Sequence, residues 1–166
     1  MRRLTLITLA CAAAASAAVS CSSIDCPLNN RVYAKILLGG DKGALGDTLT
    51  ITSPRTPDDD NDTVLINRLT ATDSLRLPMS YARTRDTYFI TLVQKETSAT
   101  VTDTLWVEKT NLPHFESVDC GPNMFHDITA ADVTHHSIDS VKVNNNKVTY
   151  NDAKAHLIIY FKSSRR

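Results

Sequence analysis

This 166-residue chain has no excess of charge of either sign: 18 basic side chains balance 18 acidic ones. Its only basic clusters are Arg2-Arg3 and Arg165-Arg166. Without a basic stripe there is no electrostatic footprint for nucleic acid, so no nucleic-acid partner is expected. No Gly-x-Ser-x-Gly elbow is present to expose a serine nucleophile on a strand-to-helix turn. No His-Glu-x-x-His pair places two imidazoles on one helical face over a zinc ion. Gly39-Gly40-Asp41-Lys42-Gly43 is glycine-rich but lacks the spacing that wraps backbone N–H groups around a phosphate, and it reads as a hairpin connection. Neither an internal repeat nor a heptad pattern is visible. A membrane-spanning helix needs about 20 apolar residues, and the uncharged stretch Leu4 to Val19 is shorter than that.

What the N-terminus does contain is an address. Arg2 and Arg3 form a positive start, Leu4 to Val19 is Ala-rich and uncharged, and Ala18-Val19-Ser20-Cys21 closes the segment. That is the three-part form of a secretory signal. Small or aliphatic residues before a cysteine resemble a lipobox, cut just ahead of a cysteine that already carries a diacylglyceryl group. Residues 1–20 are therefore expected to be a lipoprotein signal peptide, with Cys21 the lipidated residue and 21–31 a tether. Ordinary cleavage near Ala17-Ala18, use of Cys11, and an uncleaved anchor are the alternatives. Loss of 1–20 removes Arg2 and Arg3 and leaves 16 basic against 18 acidic side chains.

The four cysteines then sort themselves. Cys11 leaves with the signal and Cys21 carries lipid. Cys26 and Cys120 remain, an even number in an oxidising compartment, and a disulfide between them is expected. Two buried free thiols are the alternative. A catalytic Cys120 would need a cation to lower its pKa, and no basic side chain flanks it. The tether segment Ser22-Ser23-Ile24-Asp25 holds one acid. That is a poor match to the acidic run of surface-export signals, so a periplasmic and a surface position at the outer membrane both stay open.

After residue 30, β-branched residues favour strands over helices. Val32 to Leu38 is a first strand, stopped by Gly39-Gly40. Thr48 to Thr52 alternates and stops at Pro54. Residues 53–63 form a polar loop with two prolines and four aspartates. Val64 to Leu69 and Ser74 to Leu77 are short strands. Thr87 to Lys95 and Thr100 to Glu108 make a β-hairpin through Glu96-Thr97-Ser98-Ala99. Ile138 to Val143 is followed by the turn Asn144-Asn145-Asn146, and His156 to Phe161 is the last strand. One short helix is expected near Ala130-Ala131-Asp132. About eight short strands separated by turn signals predict an all-β antiparallel sandwich over residues 32–162.

Several residues in order carry a resemblance. Cys26 precedes the first strand, and Cys120-Gly121 follows the hairpin. Met124-Phe125-His126-Asp127-Ile128 comes next, then His135-His136-Ser137-Ile138-Asp139-Ser140-Val141-Lys142-Val143, and the chain closes on Leu157-Ile158-Ile159-Tyr160-Phe161. In these features the mature chain resembles a family of small uncharacterised lipoproteins from Bacteroidota, defined as a domain of unknown function. The resemblance implies a lipid anchor and an immunoglobulin-like sandwich. It implies no activity, so no catalytic residues carry over.

Zinc sites take three or four ligands at short spacings. Of His114, His126, His135, His136 and His156, the adjacent pair would point to opposite faces of a strand. They read as solvated or hydrogen-bonded strand residues, and neither a metal nor another cofactor is assigned. Asp58-Asp59-Asp60-Asn61-Asp62 resembles the start of a calcium loop, but Thr63 and Leu69 stand where Gly and Glu are needed. It reads as a solvated loop held open by its own repulsion.

Asp followed by Ser or Thr and an aliphatic residue occurs five times: Asp47-Thr48-Leu49, Asp62-Thr63-Val64, Asp73-Ser74-Leu75, Asp103-Thr104-Leu105 and Asp139-Ser140-Val141. Composition alone gives roughly one or two. The form is similar to an O-glycosylation sequon of exported Bacteroidota proteins, with Thr48, Thr63 and Ser74 the leading candidates and Thr104 and Ser140 behind them. Turn-forming Asp before a strand gives the same pattern without modification.

These observations point to an outer-membrane-associated lipoprotein, joined to the membrane by its lipid, that is a non-catalytic binding or structural module of the cell envelope, with an envelope protein or glycan as the candidate partner. Trp106 and Tyr88 on the long hairpin are candidate aromatic contacts. The alternative is a metal-dependent or hydrolytic envelope enzyme, which would need a pocket gathering two or more histidines with a carboxylate.

Overall fold

Inside–outside alternation builds the central strands of the molecule. Along Arg85–Val93, residues 86, 88, 90 and 92 are buried and the intervening ones are not, as expected where one sheet face is covered and the other solvated. The computed structural model describes residues 26, 32–39, 47–55 and 62–162. The expected signal peptide and tether apart from Cys26, the expected lipidation site Cys21, the Gly40–Gly43 segment and the aspartates at 58–60 lie outside the described residues.

The described residues form ten strands: β1 Tyr33–Gly39, β2 Thr48–Pro54, β3 Asp62–Leu69, β4 Ser74–Pro78, β5 Arg85–Val93, β6 Thr100–His114, β7 Asn123–Val133, β8 Ile138–Val143, β9 Lys147–Val148 and β10 Leu157–Phe161. They form a four-stranded sheet in the order β4-β1-β10-β8 and a six-stranded sheet in the order β3-β2-β5-β6-β7-β9. All pairings are antiparallel except β1 with β10. The two inner faces enclose one core. Ile36, Leu77, Ile138, Leu157 and Ile159 come from the smaller sheet, and Leu49, Ile51, Ile90, Leu105 and Val107 from the larger. The expected all-β sandwich is thus observed.

Three local expectations are corrected. Ala130-Ala131-Asp132 is not helical but part of β7, where Ala131 pairs with Val107 and Asp132 with Trp106. Alanine's helix preference amounts to tenths of a kcal/mol per residue, and sheet pairing overrides it. The Gly39–Gly43 segment does not close a hairpin, because β1 and β2 belong to different sheets. The expected 53–63 loop is shortened at both ends, with β2 running to Pro54 and β3 starting at Asp62, and 56–61 lie outside the described residues. The β5–β6 hairpin is present, closed by Gln94 N–H to Ala99 O and Ser98 N–H to Gln94 O. Ser98 takes the left-handed conformation there, with φ at 55°.

Candidate functional site

The solvent face of the six-stranded sheet is the first candidate. Residues 104, 106 and 108 alternate with buried Asp103, Leu105 and Val107 and so face outward. Register places Thr52, Phe89 and Thr104 side by side, then Thr87, Trp106 and Asp132. A third row holds Thr50, Thr91 and Thr102, and the last two hydroxyls lie 3.0 Å apart. The Arg85 guanidinium carbon sits 5.4 Å from the Trp106 ring centroid, a cation–π contact. Trp106 and Phe89 are half-buried. The result is a shallow aromatic strip bordered by hydroxyls and one guanidinium. Tyr88 does not join it. It is 3% exposed in the core, and its hydroxyl donates to Pro78 O at 3.0 Å, which corrects the expectation that both aromatics offer contacts.

The second candidate is a cleft of about 230 Å³ lined in part by Arg55, Leu65, Met79, Arg83, Asp86 and Tyr88. That is below the roughly 300 Å³ at which small-molecule sites begin. The polar groups behind it are already committed. Lys109 and Asp86 form a buried ion pair at 3.5 Å, their side chains 0% and 3% exposed. The Lys109 ammonium also donates to Ser80 O, Arg83 O and Asn111 Oδ1, which uses all three of its protons. Asn111 in turn donates to Tyr81 O and Arg83 O, and its Oδ1 accepts from His126 Nδ1 at 2.8 Å. Burial pushes the Asp86 carboxyl up against the opposing pull of Lys109, and pushes the Lys109 ammonium down against that of Asp86. This network holds the loop between β4 and β5 in place. It engages the Lys109 ammonium and the Asp86 carboxylate with each other and with the surrounding backbone.

Comparison with known proteins places the chain. A family model described as a family of unknown function, DUF6452, matches residues 48–161. The chain belongs to that family. No curated protein and no solved structure matches it. The DUF6452 match takes in β2 to β10 but stops short of β1 and Cys26, although β1 is an interior strand of the smaller sheet.

Within the DUF6452 domain the five histidines are scattered. His135 and His136 are exposed, and His114 stacks on Phe125 with ring centroids 4.3 Å apart. His126 is 2% exposed, and burial with nearby Lys109 pushes it down to about 4. His156 is fully buried and is pushed down by that burial, and its Nδ1 accepts from Lys35 N–H at 2.8 Å. Among the described residues, no three His, Cys, Asp or Glu side chains group to hold a metal ion.

The Asp-Ser/Thr pairs of the DUF6452 domain have a structural reason that the sequence hid. Each aspartate accepts a hydrogen bond: Asp47 from Lys95 N–H, Asp62 from Thr52, Asp73 from Ser74, Asp139 from Ser140, and Asp103 from five donors. Of the five hydroxyl residues, Thr63 is exposed, while Thr48, Ser74, Thr104 and Ser140 are half-buried. Cys26 and Cys120 are joined as a disulfide, with Cα atoms 5.5 Å apart.

Proposed function

We propose that this DUF6452 protein is a non-catalytic binding module of the bacterial cell envelope, held at the outer membrane by lipid on Cys21 and presenting a glycan-binding face. The carrying observation is the outward strip of Trp106 and Phe89, flanked by Thr52, Thr87, Thr104 and Arg85. The apolar face of a sugar ring stacks on an indole, and its hydroxyls pair with Thr and Arg side chains, so these residue types on one flat face suit a polysaccharide. Thr63, exposed on the edge strand β3, is the favoured member of the O-glycosylation candidates.

Trp106 is the only tryptophan of the chain, so its fluorescence reports the site directly. Titrating the purified mature protein with a panel of envelope polysaccharides should give a saturable change in emission for at least one of them. Arg85→Ala should weaken that response about ten-fold, as expected for a contact worth about 1.4 kcal/mol. A flat response across the panel would reject the glycan reading. The anchor is tested separately: intact mass from native membranes should begin at Cys21 and include acyl chains. Peptide mapping of the same material shows whether Thr63 carries hexose.

A further inference from the structure

We infer that the end of the sandwich formed by the β6–β7 connection is a membrane-docking tip that seats Phe115 and Val118 in the bilayer interface. The inference rests on the lipid-anchored reading above and deepens it by fixing which end of the domain faces the membrane.

Four of the nine exposed large hydrophobic residues among the described residues lie at this end, including the two most exposed. Val118 is 98% exposed, Phe115 63%, Tyr150 54% and Leu112 41%. Phe125 stacks on His114 and meets Tyr150 edge-on, with centroids 5.0 Å apart, so a packed aromatic base supports the exposed tip. Large side chains so bare, side by side on one short segment, mark a contact surface. Aromatic residues backed by a polar frame are suited to the headgroup boundary.

Chain length names the occupant. Four residues lie between Cys21 and Cys26, and the five Cα-to-Cα steps span at most about 18 Å when fully extended. The disulfide then places the Cys26 Cα 5.5 Å from that of Cys120, and Val118 is two residues away. Counted instead to Val32, the next described residue, the span would reach about 40 Å. The cross-link therefore halves the leash and ties it to the apolar tip rather than to another part of the surface. Short tethering raises the local concentration to the millimolar range, so a weak apolar contact is populated. Glu116 and Asp119 lie in the same segment, so the contact is apolar and favours zwitterionic over anionic lipid. The opposite end, at the 94–99 turn, is separated from the tip by the 15 residues of β6, or about 45 Å.

The test uses the mature chain with its disulfide intact and Cys21 coupled to a maleimide lipid. Vesicles of phosphatidylcholine and phosphatidylethanolamine carry brominated acyl chains as quenchers. In a Trp106→Phe background, Val118→Trp should emit at shorter wavelength and be quenched at least two-fold, while Thr97→Trp at the far end should not be. Phe115→Trp repeats the readout without altering Val118, and adding Val118→Ser to it should reduce the quenching. A ten-residue Gly-Ser insertion after Ser23 lengthens the leash and should also reduce it. Val118→Trp and Phe115→Trp as unquenched as Thr97→Trp would overturn the docking, and would assign the tip to a protein partner instead. Quenching unchanged by the insertion would overturn the role of the leash. Neither outcome bears on the anchor, which fails only if native protein carries no acyl mass at Cys21.

Discussion

Asp103 is the residue whose replacement should be felt most sharply. It sits on the core face of β6 at 0% exposure. Its Oδ1 accepts from the Thr134 hydroxyl at 2.8 Å and His136 N–H at 2.7 Å. Its Oδ2 accepts from Ser137 N–H at 2.7 Å, the Ser137 hydroxyl at 2.6 Å and Ile138 N–H at 3.0 Å. These donors lie where the chain leaves β7 in one sheet and enters β8 in the other, so one carboxylate closes a corner of the sandwich. Burial alone would push Asp103 up. The donors on Ser137, His136 and Thr134 outweigh it and hold the carboxyl at about 2.

Asp103→Asn keeps the shape and removes the chemistry. Whichever way the amide is turned, its NH₂ replaces an oxygen that served two or three donors. At least two donors then lose their carboxylate acceptor, at about 1–3 kcal/mol each, for a total of about 2–6 kcal/mol. The pH dependence gives an independent check. The folded pKa is depressed from 3.8 to about 2, so ionisation contributes about 2 kcal/mol that is present above pH 4 and lost as pH falls through 4 toward 2. Urea unfolding of both proteins should therefore show a gap of several kcal/mol at pH 6 that narrows by about 2 kcal/mol at pH 2. A variant within 1 kcal/mol of the parent at pH 6, or a gap that does not change with pH, would refute the reasoning.

Three further outcomes are expected. His126 is held at about 4 and so favours the folded state above pH 6.5. That contribution, about 3 kcal/mol, is lost as pH falls from 6.5 to 4, and His126→Gln should flatten urea-derived stability over that window. Lys109→Met leaves Asp86 buried without its counter-charge and should cost about 3–5 kcal/mol, part of which Asp86→Asn in the same chain restores. Reduction of Cys26–Cys120, which closes a loop of 94 residues, should lower stability by at most about 4–5 kcal/mol. Denaturant unfolding with and without reductant measures it.

Strands were legible where their inward residues are aliphatic, as with Leu49 and Ile51 on β2 or Ile90 and Leu92 on β5. The second half of β6 was not, because its inward positions are Lys109 and Asn111, members of a buried polar network that looks like surface in sequence. β7 was hidden twice. One inward residue is His126, and between Ile128 and Ala130 the register shifts against Glu108 and Lys109, which moves the alternation out of phase and lets the two alanines read as helix. The β1–β10 pairing joins the two ends of the domain, and no local pattern encodes it. The aromatic face was within reach. Trp106 falls between Leu105 and Val107, and Tyr88 shares the parity of Ile90, so alternation alone sends the first outward and the second into the core.

Strand β1 decides where the folding unit begins. The family match starts at residue 48, yet β1 lies between β4 and β10 and is hydrogen-bonded to both. It and its flank also bury Val32, Ala34, Ile36 and Leu38 at 1–4% exposure. At about 1.5–3 kcal/mol for each of the three larger side chains, their loss removes about 5–9 kcal/mol, comparable with the whole stability of a small domain. It also leaves β4 and β10 as two facing, unpaired edges, which are templates for aggregation. A chain starting at residue 48 should therefore show no cooperative thermal transition by circular dichroism, whereas one starting at Cys26 should. A synthetic peptide spanning 31–40 should restore part of the transition in trans, because the missing element is a strand with both neighbours waiting. Cooperative unfolding of the chain from residue 48 alone would show that β1 is an accessory to the sandwich and not one of its parts.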